Sequence, residues 1–319
     1  MKFNTSTEMF RMISRSILAV AVLLTIAASA PAADFDRDGK ADFAVFRPST
    51  STWLSGSSKG DNAEFQWGRG TDVLVPADYD NDGRTDFAVW RPENGVWYIH
   101  QSADDSVLLV RWGMAATRTT AFVPVPADYD NDGETDLGLW NSETGEWCIA
   151  RSSNGYDQNN AIKFRWGKTG DVPVQADYDG DRIADFAVFR PSENRWYIRE
   201  SSTGKTSIKT FGLAGLDTLV PADYTGDKKA DIAVYRSGVW FVLDSSTGET
   251  DQFTFGFNDD VAVPADYDGD GVTDFGVYRG GTWYVSDSSR PRLRTFNFGQ
   301  AADVPVNSGV VRSSVVAVS

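Results

Sequence analysis

Histidine and cysteine are almost absent from this sequence, since His100 and Cys148 are the single examples of each among 319 residues. A disulfide within one chain therefore cannot form, and a zinc site made of Cys and His ligands has too few of them. A Ser-His-Asp triad could use only His100. These absences remove much common enzyme chemistry, and we expect a protein that is not an enzyme. We expect His100 to lie exposed on a strand and Cys148 to be a buried thiol.

Basic residues are also scarce, since 30 lysines and arginines face 45 aspartates and glutamates and leave a net charge of −15. A protein that binds nucleic acid carries clusters of basic residues where it meets the phosphates, so this class is excluded. An anionic membrane surface is disfavoured for the same reason. The hydrophobic fraction of 41% is nonetheless high enough for a folded core.

Long apolar runs are missing except near the N-terminus, where the run from Ile17 to Ala28 is broken only by Thr25. Basic residues precede this run and Ala30-Pro31-Ala32 follows it, which is the pattern of a secretory signal peptide. The run is shorter than the about 20 apolar residues that span a bilayer, so an uncleaved anchor is the disfavoured alternative. We predict a signal peptide over residues 1–32. The product is then a secreted monomer (extracellular, at the cell surface or in the periplasm) with no membrane span after cleavage.

The remaining sequence is a repeat. The phrase Ala-Asp-aromatic recurs at intervals of 43 to 50 residues, at Asp34, Asp78, Asp128, Asp177, Asp223 and Asp266. Each full unit contains a Val-Pro run, an acidic loop, two apolar strands around a turn and a last strand ending in aromatic-Gly. Four short strands in about 45 residues are typical of a propeller blade. Because proline is confined to sheet edges, we expect the Val-Pro strand to be the innermost strand of each blade.

The two ends of the repeat predict how the ring closes. The first unit has no Val-Pro strand of its own, and Asp303-Val304-Pro305-Val306 follows the last complete unit. This C-terminal strand can complete the first blade and remove an open sheet edge. We therefore predict an all-β propeller of six four-stranded blades over residues 33–306, followed by a tail or extra strand over 307–319. Seven blades, with Gly309 to Ser319 as a stunted unit, is the alternative.

The acidic loops predict metal sites. In five of the six loops, carboxylates stand at positions 1, 3, 5 and 9, and glycine at position 6 in most of them allows a sharp turn. Calcium takes six to eight oxygen ligands, and the carbonyl at position 7 can add one. Four ionised carboxylates would repel one another strongly without a cation. Oxygen ligands alone select hard cations, and the size of this cage favours calcium over magnesium.

We predict about five to six bound Ca2+ ions, because the loops are unequal. The fifth loop has Thr225 in place of an acid, with Lys228 and Lys229 beside it, and should be the weakest site. Arg182 replaces the glycine of the fourth loop, which still has its four acids. The predicted metal ligands are, loop by loop, Asp34, Asp36, Asp38 and Asp42; Asp78, Asp80, Asp82 and Asp86; Asp128, Asp130, Asp132 and Asp136; Asp177, Asp179, Asp181 and Asp185; Asp223, Asp227 and Asp231; and Asp266, Asp268, Asp270 and Asp274.

In these loops and in the aromatic-Gly strand ends, the chain resembles the FG-GAP/VCBS repeat family, the propeller units of integrin α-subunit heads and of many exported bacterial proteins. The resemblance spans about residues 33–306. It implies a calcium-stabilised propeller used in adhesion or recognition, with the loop aspartates as calcium ligands. The fifth loop departs from the family pattern.

One tryptophan recurs in the third strand of each unit and an arginine ends the second strand in five of them. They could stack on sugars, but we favour a structural role in which tryptophan fills the space between blades. They are Trp53, Trp97, Trp147, Trp196, Trp240 and Trp283, with Arg47, Arg91, Arg190, Arg236 and Arg279.

The function that we expect is a non-catalytic binding or adhesion module for an extracellular glycan or protein, in which repeated sites raise avidity. The alternatives are a calcium-dependent polysaccharide-acting enzyme of the lyase type and a purely structural surface protein.

Overall fold

The computed structural model describes residues 33–57, 62–113, 122–290, 292–306 and 311–312. They form the six antiparallel blades of a β-propeller, which confirms the predicted fold class and the number of blades. The predicted signal peptide over residues 1–32 lies outside the described residues, as does most of the tail over 307–319. Within the described residues, no helix is long and apolar enough to span a membrane.

Strands are numbered along the chain. The first blade contains β1 (Phe43–Arg47), β2 (Thr52–Gly56) and β3 (Asn62–Gln66). The second and third blades contain β4 (Val73–Leu74), β5 (Phe87–Arg91), β6 (Val96–His100) and β7 (Val107–Arg111), then β8 (Phe122–Pro124), β9 (Leu137–Asn141), β10 (Glu146–Ala150) and β11 (Ile162–Arg165). The fourth and fifth contain β12 (Val172–Pro173), β13 (Phe186–Arg190), β14 (Arg195–Arg199) and β15 (Thr206–Thr210), then β16 (Thr218–Leu219), β17 (Ile232–Arg236), β18 (Val239–Leu243) and β19 (Thr250–Thr254). The sixth contains β20 (Val261–Ala262), β21 (Phe275–Arg279), β22 (Thr282–Ser286) and β23 (Leu293–Asn297), and β24 (Val304–Pro305) and β25 (Val311–Arg312) follow.

The position of a strand within its blade explains its sequence. The second strands are apolar on both faces, because neighbouring blades cover both sides, and most of their residues are buried. The fourth strands, such as β7, alternate between exposed and half-buried residues because they lie at the outer edge of the sheet. The short first strand, which carries or precedes the proline, forms the opposite, inner edge. Proline is tolerated there because no further ladder bond is needed on that side.

The C-terminal part of the chain closes the ring as predicted. Strand β24 pairs with β1, placing Pro305 opposite Val45 and Val304 opposite Phe46. The first blade is thus completed by residues from the other end of the repeat. Part of the tail also forms an extra strand, since β25 pairs with β16 at the edge of the fifth blade.

The hydrophobic core is divided into six clusters, one at each junction between blades. In the cluster between the second and third blades, Trp97 of β6 packs with Leu137 and Leu139 of β9. At four junctions a phenylalanine of the outer strand also contacts a phenylalanine of the next blade, with ring centroids 4.5 to 5.2 Å apart. These pairs are Phe65 with Phe87, Phe164 with Phe186, Phe253 with Phe275, and Phe296 with Phe43. Stability of the fold therefore depends on contacts between blades as well as within them.

Candidate metal centres in the acidic loops

In five blades the acidic loop joins the first strand to the second, and in the first blade it precedes β1, whose inner partner β24 comes from the other end of the repeat. The residue before position 1 pairs with position 9, as in the bridge between Ala77 and Asp86, and the same bridge occurs in all loops but the first. In the first loop the amide of Asp42 donates a hydrogen bond of 2.8 Å to the carbonyl of Ala33, so the two ends of this loop are also held together. The nine residues of each loop are thus held as one tight turn.

Two residues in each loop adopt left-handed backbone conformations, at positions 4 and 6. In the second loop these are Asn81, with φ of 56°, and Gly83, with φ of 83°. The sequence analysis identified position 6 but missed position 4, although asparagine or glycine stands there in five loops and is the usual residue for such a conformation. In the fourth loop Arg182 does adopt a positive φ, 73°, despite its side chain.

Hydrogen bonds to aspartate side chains hold the turn. The carboxylate of Asp78 at position 1 accepts a hydrogen bond from the amide of Gly83 at 2.9 Å. The carboxylate of Asp82 at position 5 accepts one from the amide of Arg84 at 2.8 Å and another from the hydroxyl of Ser102 at 3.0 Å. Such local bonds are the usual role of aspartate in a turn. Position 5 therefore has its own partners within the turn and in the adjacent hairpin.

The carboxylates at positions 1, 3 and 9 converge in five of the six loops. In each of these clusters, one oxygen from every residue lies within 4.8 Å of the others. The clusters are Asp34, Asp36 and Asp42; Asp78, Asp80 and Asp86; Asp128, Asp130 and Asp136; Asp177, Asp179 and Asp185; and Asp266, Asp268 and Asp274.

The remaining predicted ligands lie beside these clusters. The position 5 residues, Asp38, Asp82, Asp132, Asp181 and Asp270, belong to none of them. In the described fifth loop, Asp223, Asp227 and Asp231 form no such cluster, because Thr225 occupies position 3.

The aspartate at position 9 is the most buried member of each cluster. Asp86 is 0% exposed, and its carboxylate accepts amide hydrogen bonds from Tyr79 at 2.9 Å and Ser102 at 2.7 Å. Burial nevertheless raises the pKa of Asp86 to about 7, and the nearby Asp80 contributes to the rise. Burial likewise raises the pKa of Asp136 to about 7. Without a cation, each cluster thus holds a carboxylate that is costly to ionise.

The same effect occurs at the other position 9 residues. Burial raises the pKa of Asp42 and of Asp185 to about 7, and that of Asp274 to about 6. Two buried carboxylate oxygens, Oδ1 of Asp42 and Oδ1 of Asp130, have no hydrogen-bond partner within the described part of the chain. A buried polar atom without a partner is costly, and a cation would satisfy it. The donor set consists entirely of oxygen and fits a hard cation such as calcium.

The six loops are linked to one another in a closed ring. The amide at position 8 of each loop donates a hydrogen bond of 2.7 to 2.9 Å to the carbonyl at position 1 of the preceding loop. The bonds run from Thr85 to Asp34, Thr135 to Asp78, Ala184 to Asp128, Ala230 to Asp177, Thr273 to Asp223 and Ala41 to Asp266. An ordered loop therefore orders its neighbour, and the fifth loop belongs to this ring although it has no acidic cluster.

The recurring tryptophans are core residues, as we favoured. All six are 0 or 1% exposed. Each indole N–H donates to the backbone carbonyl of the aromatic residue that precedes the glycine at the end of the blade, over 2.8 to 3.2 Å. Trp97, for example, donates to the carbonyl of Trp112. These rings are not available to stack on a sugar.

The recurring arginines form ion pairs with aspartates that the sequence analysis missed. Arg91 donates two hydrogen bonds of 2.8 Å to Asp72, and its guanidinium lies 4.1 Å from the ring centre of Tyr98. The other pairs are Arg47 with Asp303, Arg190 with Asp171, Arg236 with Asp217 and Arg279 with Asp260. The signal was present in the sequence, because four of these aspartates precede their arginine by 19 residues. In the third blade both partners are replaced, by Asn141 and Phe122.

His100 and Cys148 differ from expectation in their burial. His100 is half-buried rather than exposed, with its ring centre 4.4 Å from that of Phe65 and 5.5 Å from that of Trp67. The reason is that β6 packs against the outer strand of the first blade. Cys148 is half-buried rather than fully buried, and burial still raises the pKa of its thiol to about 11.

Comparisons with known proteins agree with this architecture. The FG-GAP-like repeat profile matches residues 34–89, 78–139 and 177–234, which together make up just over half of the chain. No curated protein matches the chain significantly. Among solved structures, a lectin of Agrocybe aegerita that recognises non-reducing terminal N-acetylglucosamine aligns with a TM-score of 0.54 and 14% identity, over 86% of this chain and 92% of the lectin. An inactive variant of virginiamycin B lyase from Staphylococcus aureus, solved with quinupristin, aligns with a TM-score of 0.53 and 7% identity, over 90% of this chain and 94% of the lyase. At these identities the likeness concerns the fold.

Proposed function

Since the chain belongs to the FG-GAP-like repeat family, we propose that it is an exported, calcium-stabilised β-propeller that acts as a non-catalytic binding module for a glycan or protein partner. The proposal has two parts. The first is that calcium holds the acidic loops together, and the second is that the propeller presents a surface to a ligand outside the cytoplasm. Each part has its own support and its own test.

The five carboxylate clusters carry the calcium part of the proposal. Positions 1, 3 and 9 of each cluster would hold the ion, with Asp78, Asp80 and Asp86 as the example in the second loop. A bound divalent cation neutralises carboxylates whose burial and mutual repulsion oppose ionisation. Because the loops are joined in a ring of backbone hydrogen bonds, an ion in one loop also stabilises the junction with the next blade. Calcium would thus stabilise the whole propeller and not only the loops that bind it.

A binding role agrees with how the repeated side chains are used. The tryptophans and arginines of the repeat make internal contacts, so these repeated side chains stabilise the scaffold. His100, the single histidine, packs against Phe65 and Trp67 instead of facing an acidic partner across a cleft. A rigid scaffold that varies in its surface side chains is well suited to recognition. The lectin among the structural neighbours makes glycans a reasonable first class of ligand to test.

Thermal unfolding of the chain after signal removal tests the calcium part. We expect millimolar calcium to raise the melting temperature by many degrees over metal-free protein, since a ligand that binds only the folded state stabilises it. Magnesium at the same concentration should have a smaller effect. Asp86→Asn should reduce the calcium-induced rise, whereas Asp104→Asn, an exposed aspartate of the same blade, should leave it unchanged. Equal melting temperatures with and without calcium would refute this part.

A glycan array, probed with calcium and then with chelator, tests the binding part. Calcium-dependent binding to a related set of sugars would support glycan recognition. A blank array with a calcium-stabilised protein would favour a protein partner. The export that the proposal includes is tested separately, because the secreted chain should begin at Ala33 when its N-terminus is sequenced.

A further inference from the structure

The junction between the fourth and fifth blades departs from the other junctions. At the position opposite the core tryptophan in the outer strand, five blades carry an apolar residue: Phe65, Val110, Phe164, Phe253 and Phe296. The fourth blade carries Lys209 there, opposite Trp196. On the facing strand of the fifth blade, Ile232 stands where four blades have the phenylalanine that completes the contact. The aromatic pair that fills most junctions is therefore missing at this one.

A cavity of about 470 Å³ lies at this junction. Its volume is within the range of roughly 300–1,000 Å³ that is common for small-molecule sites. Ile198, Ile232 and Leu243 line its apolar part, and Lys209 and Lys229 are among its polar lining residues. Lys229 belongs to the fifth acidic loop, the one without a carboxylate cluster. Two departures from the repeat thus meet in one pocket.

The cations of this pocket lack partners, whereas its anions have them. Within the described residues, neither the ammonium group of Lys209 nor that of Lys229 takes part in a hydrogen bond or an ion pair. The carboxylate of Asp179 accepts a hydrogen bond from Ser202 and lies in the fourth acidic cluster. Glu200 accepts one from Thr203, and Asp244 accepts bonds from its own turn. The lining thus holds three carboxylates and two ammonium groups, and the two ammonium groups are the charged groups whose hydrogen-bonding capacity is unused.

We propose that this pocket binds a carboxylate-bearing sugar unit, with Lys209 and Lys229 contacting the carboxylate and the apolar wall contacting the C–H face of the ring. Lysine donors match a carboxylate, and a sugar acid presents both a charged group and an apolar face. The inference rests on the proposed binding function and gives it a site and a ligand class. It assigns a role to the position where the repeat is broken.

Titration calorimetry in millimolar calcium tests the proposal. The probes are oligosaccharides that end in glucuronate, galacturonate or sialate, each paired with the same oligosaccharide after reduction of its carboxyl group to an alcohol. At least one acidic probe should bind, and reduction should weaken that binding by about tenfold or more, as expected for loss of a charged hydrogen bond.

Variants of the two lysines locate the site. Lys209→Phe installs the residue that the first, third, fifth and sixth blades share at this position, so it should fold normally, fill the pocket and abolish binding. Lys209→Gln keeps the space open and removes only the charge, and Lys229→Gln removes the second ammonium. Each should weaken binding by several-fold to tenfold. Lys163→Gln, on the exposed outer strand of the third blade, is the matched control and should not change it.

Three results would overturn the proposal: no acidic probe binds, the reduced probe binds as well as the acid, or Lys209→Phe and Lys209→Gln bind like the unchanged protein. Melting curves of the same samples, recorded with and without calcium, distinguish a failure of the pocket assignment from a failure of the proposed function. If calcium still raises the melting temperature, the calcium part of the proposed function stands, and a positive glycan array then limits the failure to the assignment of the pocket. If calcium has no effect, the calcium part of the proposed function is wrong, whatever the probes show.

Discussion

The guanidinium of Arg47 donates hydrogen bonds of 2.9 and 2.8 Å to the two carboxylate oxygens of Asp303, which lies 256 positions later in the chain. The side chain of Asp303 is 1% exposed and also accepts a hydrogen bond from the amide of Gln300. In four other blades the equivalent pair is formed within one continuous repeat. In the first blade it joins the two ends of the repeat, so ring closure uses an ion pair as well as the backbone bonds between β1 and β24.

Removing this ion pair should destabilise the closed ring of blades. We expect Arg47→Met to lower the free energy of unfolding by about 2 kcal/mol, because it leaves the buried carboxylate of Asp303 without its charged partner. Arg195→Met removes an exposed contact with Glu193 and should cost less than about 1 kcal/mol. Chemical denaturation in calcium measures both. Equal losses of unfolding free energy in the two variants would mean that the pair of Arg47 and Asp303 stabilises the protein no more than an exposed ion pair does.

The indole of Trp97 should contribute to the stability of the fold in two ways, by filling space in the core and by its hydrogen bond to the carbonyl of Trp112. We expect Trp97→Ala to destabilise the protein by about 3–5 kcal/mol, through the cavity that it leaves between the second and third blades. Trp97→Phe keeps most of the apolar volume but loses the bond to the carbonyl of Trp112, and should cost less. Denaturant unfolding separates the two variants. A stable Trp97→Ala protein with altered ligand binding would instead assign this tryptophan to recognition.

The fifth loop offers a gain-of-function test of the proposed calcium sites. The unchanged protein should bind five calcium ions, one for each carboxylate cluster. Thr225→Asp restores the missing acid at position 3 beside Asp223 and Asp231, and should add a sixth ion. Thr225→Asn provides a neutral control of the same size. Native mass spectrometry counts the ions. Six ions in the unchanged protein would show that a carboxylate at position 3 is not needed.

The metal-free protein should lose stability as the pH rises. Burial raises the pKa of Asp86 and of Asp136 from 3.8 to about 7, so the folded form holds protons that the unfolded form has released between these values. Folding is therefore favoured at the acidic end of this window, and that contribution is lost as the pH rises toward and through 7. Melting temperatures of resin-stripped protein should fall from pH 5.5 to pH 7.5.

Calcium should reverse that trend, because the ion competes with protons for the same carboxylates and binds more tightly as they ionise. The melting temperature in calcium should thus be maintained or rise over the same window. A metal-free protein whose melting temperature is flat or increases from pH 5.5 to pH 7.5 would contradict the assigned burial of these aspartates.

Much of this architecture could be predicted because each repeat restates the same local pattern. Asp78, Asp80 and Asp86 lie within nine residues of one another, and Val304-Pro305 copies a pattern seen in the other blades. What escaped prediction joins residues that are distant in the chain. The bond from Thr85 to Asp34 depends on how blades are placed side by side, and Asp82, which lies outside its cluster, accepts a hydrogen bond from Ser102 of another hairpin.

The pocket beside Lys209 illustrates the same limit. A lysine in an outer strand is ordinary when its blade is considered alone. It becomes informative only when the register places it opposite Trp196 and the next blade offers Ile232 instead of phenylalanine. Repeat proteins allow such a comparison, because each junction serves as a reference for the others.

Because β24 comes from the C-terminal end of the repeat, the first blade can be completed only after the other five blades have been synthesised. During synthesis the first blade emerges with three strands, and its inner edge has no partner until residues 304–305 have been made. An unpaired edge is a site where strands from other molecules can add. A truncation just before Asp303 would therefore remove less than a tenth of the sequence and still leave the first blade open, so such a chain should aggregate rather than fold into a smaller ring.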